Sequence, residues 1–153
     1  MQAWHPWRTL GDQFPHIVVS CDYQLPAGVR GWWRGNTIWL CKTLNQAERR
    51  STLTHELMHV IRGLAPPELR DREERRVDEL AARKLIPLPE LLHGLQSSTN
   101  DDELAEALWT DVHTVRVRRE TLTPLEIAWL DEHLDDEMDA SACQFAEHRP
   151  STA

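Results

Sequence analysis

Two kinds of pattern divide the chain. Early on, short apolar runs are bounded by turn residues, and from residue 45 onward apolar positions recur at helical spacing. Ile17-Val18-Val19-Ser20-Cys21 reads as a short buried strand, followed by a turn at Leu25-Pro26-Ala27-Gly28. Gly31-Trp32-Trp33 and Thr37-Ile38-Trp39-Leu40-Cys41 flank Arg34-Gly35-Asn36, the pattern of a hairpin with a glycine in its turn. Two or three such strands make a small sheet, not a sandwich. Adjacent strand residues face opposite ways, so only one of Trp32 and Trp33 can face a core; the other is free to line a groove.

Asn45 followed by Glu48 is a capping-box pattern that opens a helix. Leu53, Leu57, Val60 and Ile61 form its apolar stripe, and Gly63 is placed to end it near Arg62. Pro66-Pro67 starts a second helix that Pro87 stops, and a third, short one covers Glu90–Leu95. The polar link Gln96-Ser97-Ser98-Thr99-Asn100 is the best boundary. It divides the chain into a domain over residues 1–97 and a helical region over 98–134, with helices near Asp102–Trp109, Val112–Leu122 and Pro124–Leu134. The last is opened by a Thr123-x-x-Glu126 capping box, and Trp109 and Trp129 fall at core positions by spacing. Residues 135–153 read as an acidic, frayed tail.

Charge refines this division. Residues 1–97 carry 13 basic against 11 acidic side chains, and residues 98–153 carry 4 against 14. A field of that sign repels phosphate backbones, so nucleic acid is not the expected partner. Three widely spaced cysteines, Cys21, Cys41 and Cys143, with no CxxC pair, fit a reducing compartment. With no bilayer-length apolar run and no secretory leader pattern at Met1–Trp7, the expectation is a cytoplasmic protein without a membrane partner.

The chemistry concentrates at His55-Glu56-Leu57-Met58-His59. Histidines four apart stack on one helix face, close enough to hold one metal ion, and the glutamate beside the first can act as base toward a bound water. A catalytic zinc commonly takes three protein ligands, so His55 and His59 need a partner. On the second helix Glu74, Val77, Asp78, Ala81 and Leu85 share one face with an apolar lower half, which makes Glu74 the choice. Glu79, among Arg72, Arg75, Arg76 and Arg83, and Glu73, beside Arg76 and Leu80, remain alternatives. Asp78 could accept a hydrogen bond from the far nitrogen of a liganding histidine, or pair with Arg75.

The segments Thr37-Ile38-Trp39-Leu40 and Glu48–Thr54, the pentad, and Glu74-x-x-Val77-Asp78-x-Leu80-Ala81-Ala82 running to Leu85-Ile86-Pro87 together resemble the ImmA/IrrE-like zinc metallopeptidases, including versions carried by phages and mobile elements. Met58 stands where many relatives have glycine and Lys84 where an apolar residue is common. The resemblance implies an α+β fold, a small zincin-like domain in which a short antiparallel sheet packs on metal-binding helices. It implies zinc held by His55, His59 and Glu74, with Glu56 as general base in peptide hydrolysis. The substrate would be a cognate helix-turn-helix repressor, lying along an edge strand formed by Thr37, Ile38, Trp39 and Leu40. The oxyanion donor is not identified; Tyr23, His93 and His113 are candidates.

Leu104–Arg118 reads much like a helix-turn-helix, with Asp111 capping a second helix whose exposed side would carry His113, Arg116, Arg118 and Arg119. Trp109 occupies the turn position usually held by glycine, and the segment is acidic. The rival to the peptidase is thus a DNA- or protein-binding regulator with a structural or vestigial metal site. Glu56 argues against it, since a structural zinc has no use for that carboxylate.

Overall fold

Helix α1 (Pro6–Gln13) precedes a sheet of three strands, β1 (Val18–Ser20), β2 (Gly31–Arg34) and β3 (Thr37–Leu40). Six helices follow: α2 (Gln46–Arg62), α3 (Arg70–Leu85), α4 (Leu88–Leu95), α5 (Asp101–Leu108), α6 (Val112–Glu120) and α7 (Pro124–Ala146). This is the computed structural model of the chain; it describes the backbone of residues 3–146 and the side chains of residues 3–136. The class is α+β, as the hydrophobic pattern predicts. Helix α1 is an addition: it is only eight residues long, buries just Pro6 and Leu10, and is too short to be recognised by its spacing alone.

The sheet order is β1-β3-β2. β2 and β3 form the predicted antiparallel hairpin, with Gly35 at φ 59° supplying the left-handed turn residue. β1 runs parallel to β3, so the sheet is mixed and not antiparallel throughout as expected. The chain between β1 and β2 crosses over, and β3 becomes the central strand.

Helix α2 starts with a complete capping box: Asn45 Oδ1 accepts from the Glu48 N–H and Glu48 Oε2 from the Asn45 N–H, each at 2.9 Å. It ends at Gly63, whose φ of 81° few other residues adopt and whose N–H donates to the His59 carbonyl at 2.8 Å. Leu53 and Leu57 are fully buried against Ile38, Leu40 and Val77. Ile61 does not join them as the stripe predicts; it is half exposed, and Met58 and Thr54 are buried instead.

Helix α3 begins at Arg70, after a 3₁₀ turn over Pro67–Leu69, and it serves two apolar clusters. Val77 and Ala81 pack into the first, under the sheet. Leu85, with Ile86, enters the second, built with Leu91 of α4, Leu104 and Ala105 of α5, Val115 of α6 and Leu130 of α7. The polar link at 96–100 joins α4 to α5 within that second cluster.

Three expectations about the C-terminal helices need correction. Arg118 does not face solvent. It is 2% exposed, donates to the Ile86 carbonyl at 2.8 Å and pairs with Glu126 at 2.9 Å. Trp109 is no core residue: it caps α5 in the left-handed region (φ 53°, ψ 49°) and is half exposed. Trp129 does pack against the second cluster. Finally, α7 continues past Leu134 to Ala146, so the expected tail is helical over its first part; residues 147–153 lie outside the described ones.

Glu126 is the latch of this half. It completes the α7 capping box with Thr123 and also accepts from Arg83 of α3 at 2.8 Å and from Arg118 of α6. Replacing it by glutamine leaves the Arg118 charge buried and uncompensated, so Glu126→Gln should cost about 3 kcal/mol in chemical denaturation at pH 7. Hydrogen bonds from Arg118, with Arg83 and the Thr123 N–H, outweigh burial and hold the Glu126 carboxyl at about 2. Its pKa is depressed on folding. Its stabilisation is therefore present above the ordinary carboxyl value and lost as pH falls toward 2, and the gap between wild type and variant should narrow across that window.

Candidate metal centre

Packing of α3 on α2 brings the candidate ligands together. His55 and His59, one turn apart on α2, present Nε2 atoms 3.2 Å from each other. Glu74 lies across from them on the first turns of α3, its Oε2 3.3 Å from His55 Nε2 and its Oε1 3.0 Å from His59 Nε2. Tetrahedral arms of ~2.0–2.1 Å put neighbouring ligand atoms ~3.3–3.4 Å apart, so these separations fit one small divalent cation. Two imidazoles and a carboxylate are also the donor set such an ion prefers in an open site. Among the described residues this trio is the one group placed to hold a metal ion.

The alternative glutamates are committed elsewhere. Glu73 pairs with Arg62 at the end of α2, and this lowers its pKa. Glu79 bridges Arg76 and Arg83 on the outer side of α3.

Asp78 lies one turn beyond Glu74 and bonds to two histidines, not to Arg75. Its Oδ1 accepts from His55 Nδ1 at 2.9 Å, and its Oδ2 lies 3.1 Å from His113 Nε2 on α6. A proton on His55 Nδ1 leaves Nε2 with a lone pair aimed at the trio. Burial resists charge on Asp78, but the bonds from His113 and His55 overcome it and hold the carboxyl well below its usual range. Burial likewise resists charge on His55; there the Asp78 hydrogen bond and the charges of Glu56, Asp78 and Glu74 prevail and raise its pKa. The Asp78 bond raises His113 as well. His59, with no such partner, is lowered by burial and by His55.

Glu56 is 7% exposed and sits under β2. A Cβ built on Gly31 would stand 2.8 Å from Glu56 Oε1 and 2.6 Å from the Thr52 methyl, so only glycine lets the strand come this close. Burial and the nearby Glu74 charge, opposed by His55, push the Glu56 carboxyl up to about 7. A cation at the trio would draw it back toward the ionised form.

Two open chambers meet at His55, Glu56 and Gly31. One, of about 320 Å³, lies between the Gly28–Arg30 segment and α6, with Val29, Ala81, Asp111, His113 and Val117 on its walls. The other, of about 380 Å³, runs past Trp32, Trp33, His59, Leu64 and Glu74. Both take their sheet residues from β2 and the segment before it. The expected edge strand is thereby corrected. Thr37, Ile38, Trp39 and Leu40 form the central strand, hydrogen-bonded on both sides, with Ile38 and Leu40 wholly buried. Pattern alone could not give the strand order, although the glycine at position 31 before two tryptophans was the available sign of a close approach. Of the oxyanion candidates, His113 lines the cleft. Tyr23 is exposed beside Trp32 and Trp39 on the other face of the sheet, and His93 is exposed on α4.

Two substitutions test this geometry by metal titration. Glu74→Gln should lose most divalent-metal affinity while Glu79→Gln retains it. Asp78→Asn should weaken affinity at neutral pH by about 10–100-fold. Because both imidazoles must be neutral to bind, wild-type affinity falls as pH drops through the raised His55 pKa. Without Asp78 that fall should begin at lower pH; an unmoved pH profile would show that Asp78 does not set the protonation of His55.

No curated protein matches the chain, and neither does any solved structure. Residues 17–120 match the model of a peptidase family described as the IrrE N-terminal-like domain, a span from β1 to the last residue of α6 that holds every residue of the metal centre. Since that span is more than half of the chain, the protein belongs to the IrrE N-terminal-like peptidase family.

Proposed function

We propose that this protein is a zinc-dependent endopeptidase that cuts a peptide bond in a regulatory protein, a helix-turn-helix repressor, in the cytoplasm. The observation that carries the reading is the position of Glu56, a buried carboxylate at the meeting point of two chambers and directly beside three converging ligand atoms. A structural metal site has no need of such a group. His55, His59 and Glu74 would hold the ion, and zinc bound there would supply Lewis-acid chemistry to the scissile carbonyl and the attacking water. Glu56 takes the proton from the attacking water and returns it to the leaving amine.

The substrate backbone runs along the free edge of β2. Its side chains enter the two chambers on either side of Glu56, and main-chain bonding to the strand contributes affinity without selecting a sequence. The helical region supports a protein partner over DNA: Arg116 and Arg119 both pair with Asp101, and Arg118 is buried on Glu126. Cytoplasmic residence is consistent with free thiols at Cys21 and Cys41. Among the described residues no helix is long and apolar enough to cross a membrane.

Co-expression with candidate repressors tests the proposal. Glu56→Gln should retain zinc by elemental analysis yet lose at least ~100-fold in cleavage rate, whereas His59→Ala should lose the metal itself. Equal cleavage by wild type and Glu56→Gln sinks the general-base role. Gly31→Ala should also reduce cleavage while leaving metal content intact, because the added methyl forces β2 away from Glu56.

A further inference from the structure

Beside the first turns of α2 lies a separate cleft, of about 240 Å³, that shares no residue with the metal centre. Its walls are His5 and Trp7 at the start of α1, Gln46, Arg49 and Arg50 on α2, and Trp109 at the end of α5. Two features bear on what it could bind.

The first is charge without a counter-charge. Most other arginines lining the fold's contacts pair with carboxylates, as at Arg30–Asp111, Arg83–Glu126 and Arg119–Asp101. Arg49 and Arg50 have no carboxylate partner among the described residues. Arg50 donates only to the backbone carbonyls of Trp109 at 3.0 Å and Trp4 at 3.4 Å, and its guanidinium stands 5.5 Å from the centre of the Trp109 ring. Arg49 reaches the Lys42 carbonyl at 3.3 Å, and its Nε is buried with no acceptor. That nitrogen is closed to a ligand, but the terminal nitrogens of Arg49 make only the Lys42 bond and keep donor capacity for a carboxylate placed in the cleft. Burial also pulls the Arg50 pKa down, which an incoming anion would reverse.

The second feature is aromatic exposure. Trp7 is 39% and Trp109 50% exposed, at the two sides of this one cleft. Indole rings beside guanidinium groups are the composition of a protein-binding anchor site. The backbone at Trp109 is left-handed, a conformation that disfavours a large side chain. The ring is therefore held here at some conformational cost while half its surface stays in solvent.

We propose that this cleft is a docking site for an acidic segment of a partner protein, in which a carboxylate meets Arg49 and Arg50 and a neighbouring apolar side chain lies between Trp7 and Trp109. The cleft is short, and the basic side chains of α6 are already paired, so they do not extend it into a track for a polynucleotide. It is also joined to the metal cleft: Trp109, Thr110 and Asp111 are consecutive, the first lining one cleft and the third the other, as do Arg50 and Ser51 on α2. A protein held at one is thus presented at the other.

The test needs no metal and no catalysis. Tryptophan fluorescence and calorimetry of the full chain are followed on addition of the peptide acetyl-Glu-Phe-Glu-Leu-Glu-amide, of its all-glutamine counterpart, and of oligothymidylate. The acidic peptide should saturate at or below ~1 mM, weaken with added salt, and bind about tenfold more tightly than the glutamine version. Arg49→Gln and Trp7→Ala should each reduce its affinity about tenfold, and Arg49→Lys, which keeps the charge, should retain most of it. If Arg49→Gln does not fold, the Trp7→Ala and Arg49→Lys results decide. Equal binding of the two peptides, or no saturation by the acidic one, overturns the proposal. So does tighter binding of oligothymidylate, or self-association in sedimentation that Trp7→Ala abolishes, which would assign the cleft to nucleic acid or to a second copy of the chain.

Discussion

The metal centre rests on the rotational setting of α3 against α2. Val77 and Ala81 are buried under the sheet, against Leu53 and Leu57. Because residues three and four apart share a helix face, seating Val77 and Ala81 turns Glu74 and Asp78 toward His55 and His59 on the neighbouring α2. A shift of one residue along α3 would deliver Glu73 or Arg75 to the site. Arg62 guards against that slip, since its pairing with Glu73 fixes the start of α3 to the end of α2. Apolar packing thus sets the coordination geometry, and the polar groups inherit their places from it.

That inheritance has an electrostatic consequence. Glu56, Glu74 and Asp78 crowd around two imidazoles in a partly dry cleft. Asp78 resolves its own share by bonding His55 and His113, so it stays ionised. Glu56 has no such relief, and burial lifts it to about 7. A divalent cation among the ligand atoms removes the conflict: it satisfies both Nε2 lone pairs and Glu74, and it favours ionisation of Glu56. On the function proposed above, the same carboxylate would then be the base. Binding the metal and arming the base are one electrostatic event.

Much of the site was legible because it is local. The pentad, the capping box at Asn45 and the phase of α3 all depend on residues within a few turns of one another, and they single out Glu74 from three neighbouring glutamates. What escaped was non-local. The order of the strands depends on where the chain from Cys21 to Arg30 crosses, and no periodicity records that; hence Thr37–Leu40 reads as an edge and is the centre. Arg118 looks like a solvated cation until Glu126 and the Ile86 carbonyl, from two other elements, are brought to it. Trp109 falls at an apolar position by spacing, yet the turn after α5 takes it out of the helix. Helix α1, at eight residues, is too short for its apolar spacing to declare it.

These misreadings share a cause that bears on the helical region as a whole. Its likeness to a helix-turn-helix is a matter of local pattern, but its contacts point inward. Asp111, which caps α6 through the Thr114 N–H at 2.7 Å, also accepts from Arg30 beside β2 at 2.9 Å, and its own N–H donates to Ser51 of α2 at 3.0 Å. His113, one turn into α6, reaches Asp78 and through it His55. A reading helix has to keep its N-terminal side chains free for base edges. Here those side chains, Asp111, His113 and Thr114, line the chamber beside Glu56. The surface that a DNA reader would leave open is the one this fold uses to build a wall of the cleft beside Glu56.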